Sequence, residues 1–197
     1  MKHDVAWKVA EALVEHFRPA CHEIEIHGSL RRLKPEVKDI DLLCIPDLTP
    51  LPKPKLEFGK PIPKVHKTLL DKMIDEMVQD GSIQLVKSGE FSKTFYLKYA
   101  GINAEIYCVL PPATWGVRSV IRTGPAEFSH WIVTRKKQGG ALPNGYRVQD
   151  GAVWEGEKEV KDLANQIMVG FDSEKDFLNF LGLGWIEPRD RVAKWTK

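Results

Sequence analysis

The sequence has little of several features that mark large classes of proteins. Only three cysteines are present, Cys21, Cys44 and Cys108, and their spacing is not that of a metal site, so buried free thiols in a reducing compartment are expected. No apolar run approaches the length of a membrane span, and no signal-peptide core follows Met1. The formal net charge of +2 does not by itself indicate nucleic-acid binding. These absences predict a cytoplasmic protein without a membrane partner.

Regular apolar patterns are present along most of the 197 residues. Period-two runs with two helical stretches fill the first part, and helices with one hairpin fill the second, which predicts an α+β fold. The double proline Pro111-Pro112 separates the two patterns. We therefore expect one domain over residues 1–110 and another over residues 111–197.

The predicted elements follow from periodicity and turn residues. The first domain should contain helices over 5–17 and 65–78 and strands over 23–27, 39–45, 83–87, 91–99 and 102–110. The second should contain helices over 115–122, from 128 towards Gly139, over 160–167 and over 174–181, with a hairpin turn at Asp150-Gly151. The proline-rich segment 46–63 predicts an extended loop, either a solvated connector or a basic loop near nucleic acid.

The strongest functional motif of the sequence begins directly after the predicted strand 23–27. It starts with Gly28-Ser29 and continues with Arg31-Arg32. A Gly-Ser corner presents backbone N–H groups and a hydroxyl, and the arginines add forked N–H donors. This combination of donors is suited to an anionic phosphate tail.

Two carboxylates follow on the next predicted strand. Asp39 and Asp41 share one face, while Ile40, Leu42 and Cys44 share the other. Two unpaired carboxylates repel each other, so a cation is expected between them, and a hard divalent ion such as Mg²⁺ is the natural partner. The alternative is a surface turn followed by a charged edge strand, which does not account for the corner and the carboxylates together.

A third carboxylate, Glu105, lies in the middle of an otherwise apolar strand. A buried carboxylate is costly unless it is paired or bound to a metal, so Glu105 is the expected partner of Asp39 and Asp41 on a neighbouring strand. The alternative is a glutamate that faces solvent on an open face of the sheet.

Basic residues are concentrated between Ala113 and Gly140, where the only acidic residue is Glu127. Aromatic residues interleave with them, which favours a footprint on nucleic-acid phosphates over an ordinary solvated face. The basic residues are Arg118, Arg122, Arg135, Lys136 and Lys137. We expect the last three to lie on the helix that follows Gly124.

Three motifs in this order resemble family X DNA polymerases, which include DNA polymerase beta and belong to the nucleotidyltransferase superfamily. Gly28-Ser29-Leu30-Arg31-Arg32 with Asp39-Ile40-Asp41 resembles the active-site signature, and Ile121-Arg122-Thr123-Gly124-Pro125 resembles the bend beside the incoming nucleotide. The segment 173–191, from Ser173-Glu174-Lys175-Asp176-Phe177 through Gly182-Leu183-Gly184 to Arg191, resembles the end of the thumb domain. The resemblance implies a nucleotidyltransferase palm over residues 1–110 and a small α+β thumb over residues 111–197, similar in plan to short viral members.

The resemblance also implies an activity, the addition of nucleotides to a primer 3′-hydroxyl by two-metal phosphoryl transfer during short-gap DNA repair. Asp39, Asp41 and Glu105 would be catalytic and would hold two Mg²⁺ ions, for which Mn²⁺ could substitute. The residues implied to bind the nucleotide are Gly28, Ser29, Arg32, Thr123 and Gly124. The five basic residues of 118–137 would bind DNA. The implied partners are gapped or nicked template–primer DNA and deoxynucleoside triphosphates, and a monomer is expected.

Three positions depart from the family pattern. Glu105 stands where aspartate is usual, Ile121 and Arg122 stand where aromatic residues are common, and Pro125 replaces a serine. Two alternatives remain beside the polymerase. One is a transferase that adds nucleotides without a template, or to a protein or small molecule. The other is a catalytically weak nucleic-acid-binding module.

Overall fold

The computed structural model describes residues 1–49, 51, 68–158 and 166–196. It has an α+β fold, which confirms the predicted class, and within the described ranges it forms one sheet of five strands and another of three. No helix in this part of the chain is long and apolar enough to cross a membrane.

The five-stranded sheet belongs to the first part of the chain. Its strands follow the order β1-β2-β5-β4-β3, with β2 and β5 parallel and the other neighbours antiparallel. The elements are α1 (His3–Phe17), β1 (Cys21–Ile26), α2 (Gly28–Arg31), β2 (Asp39–Pro46), α3 (Leu69–Gln79), β3 (Ile83–Ser88), β4 (Ser92–Leu97) and β5 (Ile102–Cys108). The parallel pairing places β2 beside the central strand β5.

Helix ends follow the local sequence. A short 3₁₀ turn that contains Pro19 follows α1, and the side chain of Thr68 caps α3 by accepting a hydrogen bond from the Asp71 N–H. The predicted first turn of this helix, from Val65, lies outside the described residues. Helices α1 and α3 pack on one face of the sheet and bury Ile40, Leu42 and other alternate strand residues. Asp39 and Asp41 therefore lie on the opposite face.

The second part of the chain has its own apolar core, formed by residues between Val117 and Leu181, whereas the first core uses residues between Ala6 and Cys108. Its elements are α4 (Trp115–Thr123), α5 (Ala126–Val133), β6 (Tyr146–Gln149), β7 (Ala152–Glu155), β8 (Met168–Val169) and α6 (Glu174–Phe180). Strands β6, β7 and β8 are antiparallel neighbours. Asp150 and Gly151 both have positive φ, 54° and 81°, as a two-residue hairpin turn requires.

Two sequence predictions in this part are wrong. Helix α5 ends at Val133, so Arg135-Lys136-Lys137 does not continue it, because the backbone leaves the helix to pair with Leu142. The N–H of Leu142 donates to the Thr134 carbonyl at 2.9 Å, and the N–H of Lys136 donates to the Leu142 carbonyl at 2.8 Å. Residue 167 leads into β8 instead of ending a helix, and the rest of that predicted helix, 160–165, lies outside the described residues.

Candidate active site

The strand register brings the predicted carboxylates to one face of the sheet. Asp41 lies directly opposite Glu105 in the parallel pair of β2 and β5, and Asp39 lies opposite Asn103. Since Asp39 and Asp41 are two residues apart on one strand, all three acidic residues lie on the face that α1 and α3 leave open. Asp41 and Glu105 are half-buried, and Asp39 is exposed.

Asp41 is electrostatically frustrated. Burial raises the pKa of its carboxyl, and the negative charges of Asp39 and Glu105 raise it further, to about 6, although Arg122 and Arg32 lower it. The three carboxylates are neighbours, but in the described residues no cluster of acidic, histidine or cysteine side chains is closed around a common point as a metal site. The arrangement is an excess of negative charge next to two arginines.

The turn that contains Gly28 lies against the Asp41 carboxylate. The N–H of His27 donates to the Asp41 carbonyl at 2.8 Å, which ties the end of β1 to β2. Gly28 has φ +61°, and a Cβ at this position would lie 1.8 Å from Asp41 Oδ2. Glycine is therefore required here for two reasons, the backbone conformation and the close approach of the carboxylate.

Gly28→Ala is expected to lower the free energy of unfolding by about 2 kcal/mol or more, since the strained φ and the collision with Asp41 add. Gly81→Ala is the matched control, because Gly81 has φ +80° and a methyl group added there would have nothing within 4 Å. Urea unfolding at pH 7 measures both variants. Equal costs for the two substitutions would contradict the close contact between Gly28 and Asp41.

The predicted nucleotide-binding residues from the two parts of the chain meet at this turn. The Arg32 guanidinium donates to the Thr123 carbonyl, and a Cβ on Gly124 would lie 3.0 Å from Arg32 Nη1. The hydroxyl of Ser29 is buried and has no hydrogen-bond partner in the described structure. The structure thus brings the Gly-Ser corner and the Thr-Gly bend together beside the carboxylates.

A buried ion cluster fixes this junction, and the sequence pattern gave no sign of it. The Arg31 guanidinium donates to Glu174 at 2.7 Å and to the Thr123 hydroxyl at 2.7 Å. Arg191 donates twice to the same Glu174 carboxylate, at 3.0 and 3.1 Å. Burial alone would raise the pKa of the Glu174 carboxyl, but the hydrogen bonds and charges of both arginines lower it to about 2. The cluster therefore stays ionised and ties α2 to α4 and α6.

His27 adds a neutral contact to the same junction. Its ring is fully buried, and Nδ1 lies 2.9 Å from the Thr123 hydroxyl oxygen. Burial lowers the pKa of this imidazole, so the neutral form is favoured. Thr123 is therefore contacted through its hydroxyl by His27 and Arg31 and through its carbonyl by Arg32.

The predicted DNA-binding residues fall into two groups. Arg118 and Arg122 lie on α4, and the pKa of the Arg118 guanidinium is lowered by burial and by the charge of Arg122. Arg135 and Lys137 lie at the start of a second 3₁₀ turn, Lys136–Gln138, and both form ion pairs with Glu157. Lys136 is exposed on the same turn. Glu157 thus offsets part of the positive charge that the sequence pattern places there.

No protein-family model matches this chain, and a search of curated proteins found no match.

The charges at the site favour a divalent cation with a phosphate group, although the carboxylates of the described residues are not closed around a common point. Mutual repulsion among the carboxylates of Asp39, Asp41 and Glu105 would be relieved by a bound cation. Besides the Ser29 hydroxyl, Nε atoms of Arg32 and Arg122 are buried without hydrogen-bond partners in the described residues. Buried polar groups are rarely left unpaired, so orphaned groups beside an acidic cluster favour a polar ligand.

Proposed function

We propose that the protein is a nucleotidyltransferase of the family X DNA polymerase type, which adds nucleotides to a primer 3′-hydroxyl and fills short gaps in DNA. The observation that carries the proposal is the register of Asp41 with Glu105 beside the Gly28 turn. The acidic residues lie beside the hydrogen-bond donors of the Gly-Ser corner and of Arg32, which are the donors that a triphosphate needs. In this proposal residues 1–110 form the palm and residues 111–197 the thumb, and the protein acts as a cytoplasmic monomer.

In this proposal the acidic side chains bind metal ions, and the hydrogen-bond donors bind the phosphates of the nucleotide. Asp39, Asp41 and Glu105 would hold two Mg²⁺ ions, with Mn²⁺ as a substitute, and these ions would neutralise charge on the attacking and leaving oxygens. The Ser29 hydroxyl, the Gly28 backbone and the Arg32 guanidinium would bind the triphosphate. Glu105 would help to remove the proton of the primer 3′-hydroxyl. The 3′-oxygen then forms a bond with the α-phosphorus, and pyrophosphate leaves.

The nucleotide and the DNA would contact the chain where its two parts meet. Thr123 and Gly124 border the Arg32 guanidinium, so a triphosphate held by Arg32 would lie next to this bend. Arg118 and Arg122 would contact DNA phosphates near the carboxylates, and the group Arg135, Lys136 and Lys137 would contact phosphates further along the duplex.

Primer extension tests the proposal. A labelled primer is annealed to leave a one-nucleotide gap and is incubated with Mg²⁺ and deoxynucleoside triphosphates, with single-stranded primer in parallel. We expect templated addition at the gap, loss of addition in Asp39→Ala, and unchanged addition in Glu11→Ala, which changes an exposed acid on the far side of the sheet.

Two other outcomes would replace the proposal. Extension of single-stranded primer at the same rate as gapped DNA would indicate a template-independent transferase. DNA binding without extension under any metal condition would indicate a nucleic-acid-binding module.

A further inference from the structure

The carboxylate of Glu105 is held by a neighbour on its own strand. The Tyr107 hydroxyl donates a hydrogen bond to Glu105 Oε2 at 2.7 Å. The two residues are separated by one position on β5, so both side chains lie on the face that carries Asp41. No other hydrogen bond from the described residues reaches this carboxylate.

The Tyr107 ring is in turn covered by a residue from the second part of the chain. The guanidinium carbon of Arg122 lies 3.6 Å from the centroid of the ring. Arginine stacks on aromatic faces through its flat, permanently charged group, and such contacts are stronger when they are shielded from water. Arg122 is in the last turn of α4, directly before Thr123 and Gly124. The phenol is therefore fixed by β5 on one side and by α4 on the other.

Glutamate needs this support more than aspartate would. Its additional methylene gives one more rotatable bond, so holding its carboxylate in one place costs more conformational entropy. A hydrogen bond to a charged group is worth more than one between neutral groups, and it can restrict that freedom. Oε2 is engaged by Tyr107, which leaves Oε1 available to the site that Glu105 shares with Asp41.

We propose that Tyr107 is a positioning residue for Glu105, which it holds in one conformer, and that Arg122 locks Tyr107 from the α4 side. This inference rests on the proposed function, because it assigns Glu105 to a divalent cation. The hydrogen bond from Tyr107 compensates for the greater freedom of glutamate at position 105. The contact between Arg122 and Tyr107 connects the Thr-Gly bend to the Glu105 carboxylate.

Tyr107→Phe tests the proposal in the gap-extension assay. We expect kcat to fall by about tenfold to a hundredfold, as loss of a hydrogen bond to a charged group allows, with the KM for the nucleotide within about twofold. Tyr146→Phe is the control, because Tyr146 is also half-buried and packs against Phe180 in the second core. It should leave kcat unchanged. In the Glu105→Gln background, Tyr107→Phe should not weaken Mn²⁺ binding any further.

Binding of Mn²⁺, measured by calorimetry, gives a readout that does not require activity. Tyr107→Phe should weaken Mn²⁺ binding by about threefold or more, because Glu105 must then be ordered on binding. If wild type fails to extend primers but Tyr107→Phe still weakens Mn²⁺ binding, the polymerase proposal fails and the role of Tyr107 stands. If wild type binds no Mn²⁺, the role of Tyr107 is overturned.

Two results from the variants would also overturn it. One is kcat and Mn²⁺ affinity within twofold of wild type in Tyr107→Phe. The other is a lower free energy of unfolding with unchanged kcat, which a merely structural role would give. Should Tyr107→Phe fail to fold, Arg122→Lys provides the second variant, since lysine keeps the charge but loses the flat stacking group. Severalfold weaker Mn²⁺ binding in the absence of DNA supports the proposal, because the DNA contact proposed for Arg122 has no part in that measurement, and unchanged Mn²⁺ binding contradicts it.

Discussion

Replacing Glu174 with glutamine is expected to lower the free energy of unfolding by about 3 to 5 kcal/mol at pH 7, the typical cost of breaking a buried ion pair. The Glu174 side chain is only 6% exposed, and the Arg191 side chain that it pairs with is completely buried. Glutamine keeps the shape but removes the charge, so Arg191 would be left as an uncompensated buried cation. Arg31 would lose its ion-pair partner at the same time and keep only its hydrogen bonds to neutral groups.

The effect should depend on pH in one direction. The folded-state pKa of Glu174 is about 2, below its ordinary value of 4.5, so the ionised carboxylate stabilises the fold fully above about pH 4.5. This contribution is lost as pH falls from 4.5 towards 2. The difference between wild type and Glu174→Gln should therefore shrink over that range.

Urea unfolding at pH 7, 4 and 3 measures the Glu174 effect. Glu157→Gln is the matched control, because Glu157 forms a more exposed ion pair with Lys137 and should contribute far less. A Glu174→Gln variant as stable as wild type at pH 7 would show that the buried cluster does not hold the junction together.

Asp41→Asn is expected to abolish nucleotide addition and at the same time to stabilise the protein by about 2 kcal/mol at pH 8. The pKa of Asp41 is raised by burial and by the charges of Asp39 and Glu105 to about 6, so the folded state is penalised when this carboxyl is ionised. The penalty develops as pH rises from about 4 to 6. Asparagine removes it, and the stabilisation should vanish near pH 4.

Unfolding at pH 8 and pH 4, with primer extension on the same samples, measures both effects of Asp41→Asn. Glu11→Gln, an exposed acid on α1, should change neither. Loss of stability at pH 8 in Asp41→Asn would contradict the electrostatic description, and retained primer extension would remove Asp41 from the reaction.

Local periodicity is sufficient to predict the strands on which the acidic residues of the candidate site lie. Alternation along β2 gave the face of Asp39 and Asp41, and the same rule placed Glu105 in the middle of its strand. It could not give the parallel register that sets Asp41 opposite Glu105, because pairing between distant strands depends on tertiary contacts. The side-chain partner Tyr107 could have been found, since it is two residues from Glu105 on the same face.

Local sequence patterns do not predict ion pairs between residues that are far apart in the chain. Glu174 has the pattern of an ordinary acidic residue in the first turn of a helix, and its partner Arg31 is 143 residues away. Local pattern does not place the end of α5 for a similar reason. The backbone at Thr134 and Lys136 pairs with Leu142, and this non-local pairing overrides the helical pattern.

The central claim is that the carboxylates and the Gly-Ser corner together hold a nucleoside triphosphate through a divalent cation. Calorimetric titration with a non-hydrolysable deoxynucleoside triphosphate, in the presence of gapped DNA, tests it most directly. We predict Mg²⁺-dependent binding by wild type that weakens by about tenfold or more in Asp41→Asn or when Mg²⁺ is removed. Binding of equal strength in Asp41→Asn, or without any divalent cation, would contradict the claim.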